Sequence, residues 1–92
     1  FSYVSGKFKI KKWGKIKIKQ GLKLKRVPEP LIKKALNSID DDEYFETLQQ
    51  LLEKKQQTEK EKNTIKRQFK LVNYLHGKGY EKDLIFNLLK TS

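Results

Sequence analysis

Residues 18–36 read IKQGLKLKRVPEPLIKKAL, and residues 71–89, which lie 53 positions further on, read LVNYLHGKGYEKDLIFNLL. Aligning the two stretches pairs apolar residues at matching positions: Ile18 with Leu71, Leu22 with Leu75, Leu31 with Leu84, Ile32 with Ile85 and Leu36 with Leu89. Each stretch predicts two helices joined by a turn. Neither unit can bury its apolar face alone, so we expect the two units to stack and share a core.

Proline and acidic residues mark the helix boundaries in the middle of the chain. Pro28 and Pro30 indicate the start of a helix that we expect to reach about Ile39. Asp40 with Glu43 three residues later is the pattern of a capping box, so the next helix should begin near residue 41. Residues 54–63, KKQQTEKEKN, contain no apolar side chain. This segment is therefore interpreted as an exposed helix end or linker.

Another helix is expected from about Thr64, stopped by Gly77 and Gly79, with a last helix after it. The predicted helices from residue 31 onward each have an apolar face. These faces consist of Leu31, Ile32, Ala35, Leu36 and Ile39; of Tyr44, Phe45, Leu48, Leu51 and Leu52; of Ile65, Phe69, Val72 and Leu75; and of Leu84, Ile85, Leu88 and Leu89. The pattern predicts an all-α fold apart from the beginning of the chain.

The first 26 residues are compatible with a helix or with a strand. Phe1, Val4 and Phe8 are spaced as on one face of a helix. A strand-like alternation with Lys involves Phe8, Ile10, Ile16 and Ile18. In the strand alternative, residues 13–14 would form a hairpin turn, whereas the spacing of Ile18 and Leu22 favours a helix that runs to Arg26. The residues alone leave both alternatives open.

The formal net charge of +11 lies in the first part of the chain. Residues 1–36 contain twelve Lys or Arg and a single acid, Glu29, whereas residues 37–92 contain ten basic and ten acidic groups. So one-sided a charge attracts nucleic-acid phosphate, an anionic membrane or an acidic protein face. The composition alone does not choose among these partners.

The basic residues around Trp13 are the candidate DNA-binding or partner-binding site. They are Lys9, Lys11, Lys12, Lys15, Lys17, Lys19, Lys23, Lys25 and Arg26, and a weaker second group is Lys66, Arg67 and Lys70. Lys and Arg in such a cluster can contact phosphates or acidic side chains. Trp13 is interpreted either as a core residue or as a platform on which a base stacks.

Several functional classes are disfavoured by the residues present. The chain has no Cys and one His, His76, so neither a catalytic thiol nor a His or Cys metal site is expected. The acidic run 40–43 lacks the glycine and ligand spacing of a calcium loop. No nucleophile elbow, phosphate-binding glycine loop or membrane-length apolar run is present. We expect no enzyme, cofactor, small-molecule substrate or membrane partner.

The beginning of the chain suggests that the sequence is a piece of a longer protein. It contains no Met and starts with Phe1. An apolar patch at Phe1, Val4 and Phe8 would then be exposed at a truncated face. Such a patch predicts that two copies could pair in a crystal through that face.

The chain resembles the RecX family of recombinase regulators. The resemblance rests on residues 13–36, 39–55 and 70–89, with Trp13-Gly14, Ile39-Asp40 and Lys78-Gly79-Tyr80 as its most specific marks. It implies elongated tandem three-helix repeats, with residues 1–39 as a second repeat truncated at its start and residues 40–92 as a complete third repeat. Residues 1 to about 11 would then end one helix. One departure is Arg26, which stands where the third repeat has Gly79.

The resemblance also implies a function. Members of the family modulate the RecA recombinase, typically suppressing its filament on single-stranded DNA. This implies a non-enzymatic regulator in the bacterial cytoplasm, acting in DNA recombination, DNA repair and the SOS response. The charge pattern alone supports an alternative, a module that binds single-stranded or duplex DNA without sequence preference.

Overall fold

The computed structural model describes residues 2–91, and this part of the chain forms six α-helices and no strand. The helices are α1 (Ser2–Lys9), α2 (Lys15–Leu24), α3 (Glu29–Asn37), α4 (Asp41–Thr58), α5 (Thr64–Gly77) and α6 (Lys82–Thr91). The molecule measures 44 × 24 × 21 Å along its principal axes. The predicted all-α, elongated arrangement of helical repeats is therefore confirmed.

The helical alternative for the first 26 residues is the correct one. Ile18 and Leu22 are buried on one side of α2, which packs against α3. Ile10, which belonged to the strand pattern, is exposed. A helix forms because the four-residue spacing of Ile18 and Leu22 lets both side chains enter the same core.

The predicted exposed patch at the start of the chain is wrong for its two described members. Val4 and Phe8 are buried. The Phe8 ring lies 5.8 Å from the Tyr44 ring, centre to centre, because α1 turns its apolar side toward the core. Phe1, the third member, lies outside the described residues. Val4 and Phe8 attach α1 to the rest of the molecule and are not available to a second copy.

The helix pairs α2–α3 and α5–α6 are joined by the same turn. Arg26 and Gly79, 53 positions apart, both have a positive φ, 61° and 101°. Equivalent backbone hydrogen bonds close the two turns: Arg26 N–H to Lys23 O (2.9 Å), Val27 N–H to Leu22 O (3.1 Å), Gly79 N–H to His76 O (2.9 Å) and Tyr80 N–H to Leu75 O (3.2 Å). Arg26 thus adopts the left-handed conformation that Gly79 adopts without steric cost.

Arg26→Gly should stabilise the fold, because glycine lacks the Cβ that makes a left-handed φ costly. Arg26 is exposed and forms no salt bridge within residues 2–91, so the substitution removes no such partner. Glycine's greater freedom in the unfolded chain offsets part of the gain, leaving roughly 0.5–1 kcal/mol. Urea unfolding followed by circular dichroism measures this difference.

The control for Arg26→Gly is Lys23→Gly, inside α2. This substitution should cost about 1 kcal/mol, because glycine in a helix is less favourable than a residue with a side chain. If both substitutions lowered the unfolding midpoint equally, the left-handed turn at Arg26 would be contradicted.

The predicted cap at the start of α4 is confirmed. The Asp40 carboxylate accepts a hydrogen bond of 2.9 Å from the Glu43 N–H, and α4 begins at Asp41. The helix before it, α3, ends at Asn37, two residues earlier than predicted. It ends there because the Ser38 hydroxyl and N–H both donate to the Ala35 carbonyl, which closes the last turn.

The segment 54–63 is divided between a helix end and a short connection. α4 continues to Thr58, and Arg67 on α5 donates to the carbonyls of Gln56 (2.9 Å) and Glu59 (3.0 Å). Lys70 lies 3.6 Å from a carboxylate oxygen of Glu59. Desolvation opposes ionisation of Glu59, but the Glu61 N–H and nearby Lys charges lower its pKa overall. The connection is therefore held by specific contacts although it lacks apolar residues.

The core contains most of the predicted apolar residues, from both helix pairs and α4. Its most deeply buried members include Ile18, Ile32, Leu48, Leu52, Leu71, Leu75, Tyr80 and Ile85. The prediction is wrong for Leu31 and Phe45, which are exposed. The reason is helical phase: burial of Ile32 and Tyr44 turns the neighbouring residue roughly 100° away from the core.

Ile65 and Phe69 belong to the apolar face predicted for α5, and both are exposed. On α5 the buried residues are Leu71, Val72 and Leu75. Burial of Leu71 and Leu75 fixes the rotation of the helix about its axis. Ile65 and Phe69 then fall on a neighbouring stripe that faces solvent.

Candidate nucleic-acid and partner interface

The first turn of α2 is docked on the turn between α5 and α6. The Gly14 N–H donates to the Lys78 carbonyl (2.7 Å), and the Ile16 N–H donates to the Gly79 carbonyl (2.9 Å). A Cβ built on Gly14 would lie 2.3 Å from the carbonyl carbon of Gly79, so no side chain fits there. Trp13-Gly14 and Lys78-Gly79-Tyr80, distant in sequence, are thus two sides of one contact.

Two buried tyrosines complete this contact. The Tyr44 hydroxyl accepts a hydrogen bond from the Lys15 N–H (2.9 Å) and donates one to the Glu81 carboxylate. The Tyr80 hydroxyl donates to the Lys12 carbonyl (2.9 Å). Burial and the hydrogen bond to Glu81 raise the pKa of Tyr44, and burial raises the pKa of Tyr80. Both hydroxyls stay protonated at neutral pH, so the start of the basic helix α2 is held in place.

Lysine and aromatic side chains alternate across the surface of α1 and α2. Lys7 and Lys17 each place Nζ 4.7 Å from the centre of the Trp13 ring. Lys7 and Lys25 place Nζ 5.5 Å and 5.1 Å from the centre of the Tyr3 ring. We call these five residues the basic row. Cation–π contacts at exposed sites are worth about 0.5–1 kcal/mol each, which favours these positions of the ammonium groups.

Trp13 is half-buried and packs against the core while its ring contacts two ammonium groups. The structure therefore combines parts of both interpretations of this residue. A base would stack on the ring only where Lys7 or Lys17 leaves a face open. In this structure the Trp13 ring positions the ammonium groups of Lys7 and Lys17.

Other predicted binding residues project from the same region. Lys9, Lys11, Lys12, Lys23 and Arg26 are exposed, and none of them forms a salt bridge with another described residue. The half-buried Lys78 lies beside them, and its Nζ donates to the Lys11 carbonyl oxygen (3.5 Å). The five exposed charges are available to phosphate or to an acidic protein surface.

Four predicted residues are engaged within the chain. Lys15 lies 3.9 Å from Asp41, and Lys19 lies 3.5 Å from Glu29, in partly exposed ion pairs of small energetic value. Arg67 and Lys70 hold the connection between α4 and α5. Lys66, by contrast, is exposed and lies on a different part of the surface, at the start of α5.

The sequence interpretation missed Tyr3 as part of this surface. The Tyr3 ring fits over α2 because position 21 is glycine: a Cβ on Gly21 would lie 2.0 Å from the Tyr3 hydroxyl oxygen. The available signal was the four-residue spacing between Tyr3 and Lys7. The close approach to Gly21 could not be read from the sequence.

The part of the chain that the structure describes contains no cluster of side chains suited to a metal ion. His76 Nδ1 lies 3.0 Å from the Tyr80 carbonyl oxygen, at the end of α5. None of the described helices is long and apolar enough to cross a membrane. The candidate binding features of the described residues are therefore the charged and aromatic surfaces.

Comparison with known proteins identifies the family. Neither a curated protein nor a solved structure matches the chain. Two family models do match: the second three-helix domain of RecX over residues 2–36, and the third three-helix domain of RecX over residues 41–89. The second of these matches covers more than half of the chain. Together the two matches include the basic row and the α5–α6 turn on which α2 is docked. The chain therefore belongs to the RecX family.

Proposed function

We propose that this chain is a non-enzymatic regulator that binds a RecA-type recombinase filament, including its DNA, and inhibits the recombinase in recombination and repair in the bacterial cytoplasm. RecX is a regulatory family, which supports the general class. The observation that carries the proposal is the basic row on α1 and α2. Its ammonium groups contact aromatic rings, and the exposed Lys9, Lys11, Lys12 and Lys23 around it form no salt bridge within residues 2–91.

The two RecX domains would act as one body. Docking of Gly14 against Gly79 and the hydrogen bonds of Tyr44 and Tyr80 connect them. We propose that the second domain comprises residues 1–39 and the third residues 40–92. The body is 44 Å long, more than one turn of duplex DNA at about 34 Å. One copy is therefore long enough to contact DNA phosphates and recombinase subunits together.

Inhibition would result from occupancy. Bound repeats would block access to the filament's DNA, or would favour an inactive filament arrangement if they bind it more tightly than the active one. No bond in the DNA or the recombinase needs to be broken. The action would reverse when the chain dissociates.

The test compares binding to a preassembled recombinase filament on single-stranded DNA with binding to the same DNA alone, at two salt concentrations. We expect tighter binding to the filament, because the recombinase adds protein contacts to the phosphate contacts. Fluorescence anisotropy of labelled chain gives both affinities. Equal affinity for filament and bare DNA would refute regulation through the filament.

A second candidate function is a DNA-binding module without sequence preference. It is favoured by five exposed residues that form no salt bridge within the described part of the chain, Lys9, Lys11, Lys12, Lys23 and Arg26. If about five or six phosphates are contacted, the logarithm of the affinity should fall with the logarithm of salt concentration with a slope near −5 on duplex DNA. Identical, steeply salt-dependent binding to filament and DNA would select this candidate, and a shallow slope on duplex DNA would exclude it.

A further inference from the structure

An open apolar groove lies between α5 and α6, on different helices from the basic row. Its apolar residues Ile65, Phe69 and Phe86 are 77%, 67% and 49% exposed, and Val72 forms part of its floor. The groove has a volume of about 240 Å³. Single exposed apolar residues are common, but three around one groove mark an interaction surface. The volume is below the roughly 300–1,000 Å³ of small-molecule sites, which favours a protein partner.

The groove is not suited to a further repeat docked as α2 docks on the α5–α6 turn. Arg67 occupies the position in α5 that corresponds to Gly14 in the first unit. The Gly14 contact requires the absence of a Cβ, whereas the Arg67 side chain is bonded to the carbonyls of Gln56 and Glu59. The pattern of contact between the two units therefore ends here, and a partner of another kind is needed to cover Phe69.

The charges beside the groove indicate the chemistry of that partner. Lys82 lines the groove, Lys66 precedes Phe69 by three residues on α5, and Lys90 follows Phe86 by four residues on α6. All three lysines are exposed and form no salt bridge within the described chain. Asp83 is the single acidic residue of α6. The surroundings of the groove are thus basic, which favours an acidic partner.

We propose that this groove binds an acidic amphipathic helix of a partner protein. One or two large apolar side chains of that helix lie between Phe69 and Phe86, and its carboxylates contact Lys66 and Lys82. This is the helix-in-groove mode of recognition, in which apolar anchors provide affinity and flanking charges provide selectivity. The inference is independent of DNA binding by the basic row, because it involves different helices and a different kind of contact.

The probe is a synthetic helical peptide with Leu and Phe at i, i+3, i+4 and i+7 and Glu at the remaining positions. It is titrated into isotope-labelled chain, and amide chemical shifts are recorded. We expect shifts concentrated in residues 65–73 and 82–86, with micromolar affinity. Phe69→Gln combined with Phe86→Gln should weaken binding at least about tenfold, because it removes both walls of the groove.

Phe45→Gln is the matched control, since Phe45 is a similarly exposed phenylalanine on α4. It should leave peptide affinity unchanged. A peptide with Lys in place of Glu should bind at least about tenfold more weakly, and Lys66→Glu with Lys82→Glu should reduce that preference.

Three outcomes would overturn the proposal. The first is the absence of shifts in α5 and α6, and the second is shifts confined to α1 and α2, which would mean that the peptide binds the basic row alone. The third is a concentration-dependent dimer, measured by sedimentation, that Phe69→Gln abolishes; the groove would then be covered by a second copy of the chain.

Discussion

Gly14→Ala should destabilise the fold by about 3 kcal/mol or more, although it adds a single methyl group. Gly14 has φ −78°, which any residue adopts, so the cost comes from space and not from conformation. The new Cβ would lie 2.3 Å from both the carbonyl carbon and oxygen of Gly79. Because those atoms are backbone, α2 must move away, and the hydrogen bonds from Gly14 and Ile16 to the α5–α6 turn are lost.

Gly6→Ala is the matched control, because a Cβ at Gly6 meets no heavy atom within 4 Å. Alanine is the better helix former, so this substitution should stabilise α1 by about 0.5–1 kcal/mol. Urea unfolding, followed by circular dichroism and by Trp13 fluorescence, measures both variants. Equal unfolding midpoints for the two would contradict the close contact between Gly14 and Gly79.

The sequence predicts the helices well because their boundaries depend on local chemistry. Asp40 with Glu43 forms a cap from residues three apart, and Pro28 is tolerated at the start of a helix but not in its interior. The positive φ at Arg26 is harder to predict, because arginine rarely adopts that conformation. The matching apolar pattern 53 residues later, with Gly79 at the equivalent position, was the one signal available for it.

The sequence predicts that the two units stack, but it does not predict which backbone atoms meet between them. Gly14 and Gly79 are both visible as turn or cap signals, but nothing in the sequence says that their backbones touch. Tyr44 illustrates the same limit: its apolar spacing predicts burial, whereas its hydroxyl bonds to Lys15 and Glu81 depend on how α4 crosses the other helices. These contacts depend on how helices distant in sequence pack together, and local sequence patterns carry no information about that packing.

The sequence predicts where the positive charge of the candidate site is concentrated, but not which contacts its side chains form. Twelve basic residues in the first 36 indicate a binding surface, but the sequence does not separate those with partners from those without. In the structure, Lys7 and Lys17 contact the Trp13 ring and Lys19 pairs with Glu29. Lys23 is exposed and forms no ion pair with another described residue. These differences determine which lysines can be replaced without disturbing the fold.

Reversing four of the free charges should abolish most DNA binding. The variant carries Lys9→Glu, Lys11→Glu, Lys12→Glu and Lys23→Glu. These lysines are exposed and unpaired within residues 2–91, so the helices should remain folded. At low salt we expect a loss of affinity of at least about 100-fold, because each reversal removes a phosphate contact and adds repulsion. The salt slope should become shallower by roughly one unit per contacted phosphate that is lost.

The control reverses four exposed lysines elsewhere, Lys33, Lys60, Lys62 and Lys90, and has the same net charge as the first variant. If the position of the charges matters, this control should keep most of the affinity for single-stranded DNA and most of its salt slope. A similar loss in both variants would mean that net charge alone attracts DNA. The surface of α1 and α2 would then have no special role, and the proposal that the exposed lysines of this surface contact DNA would be refuted.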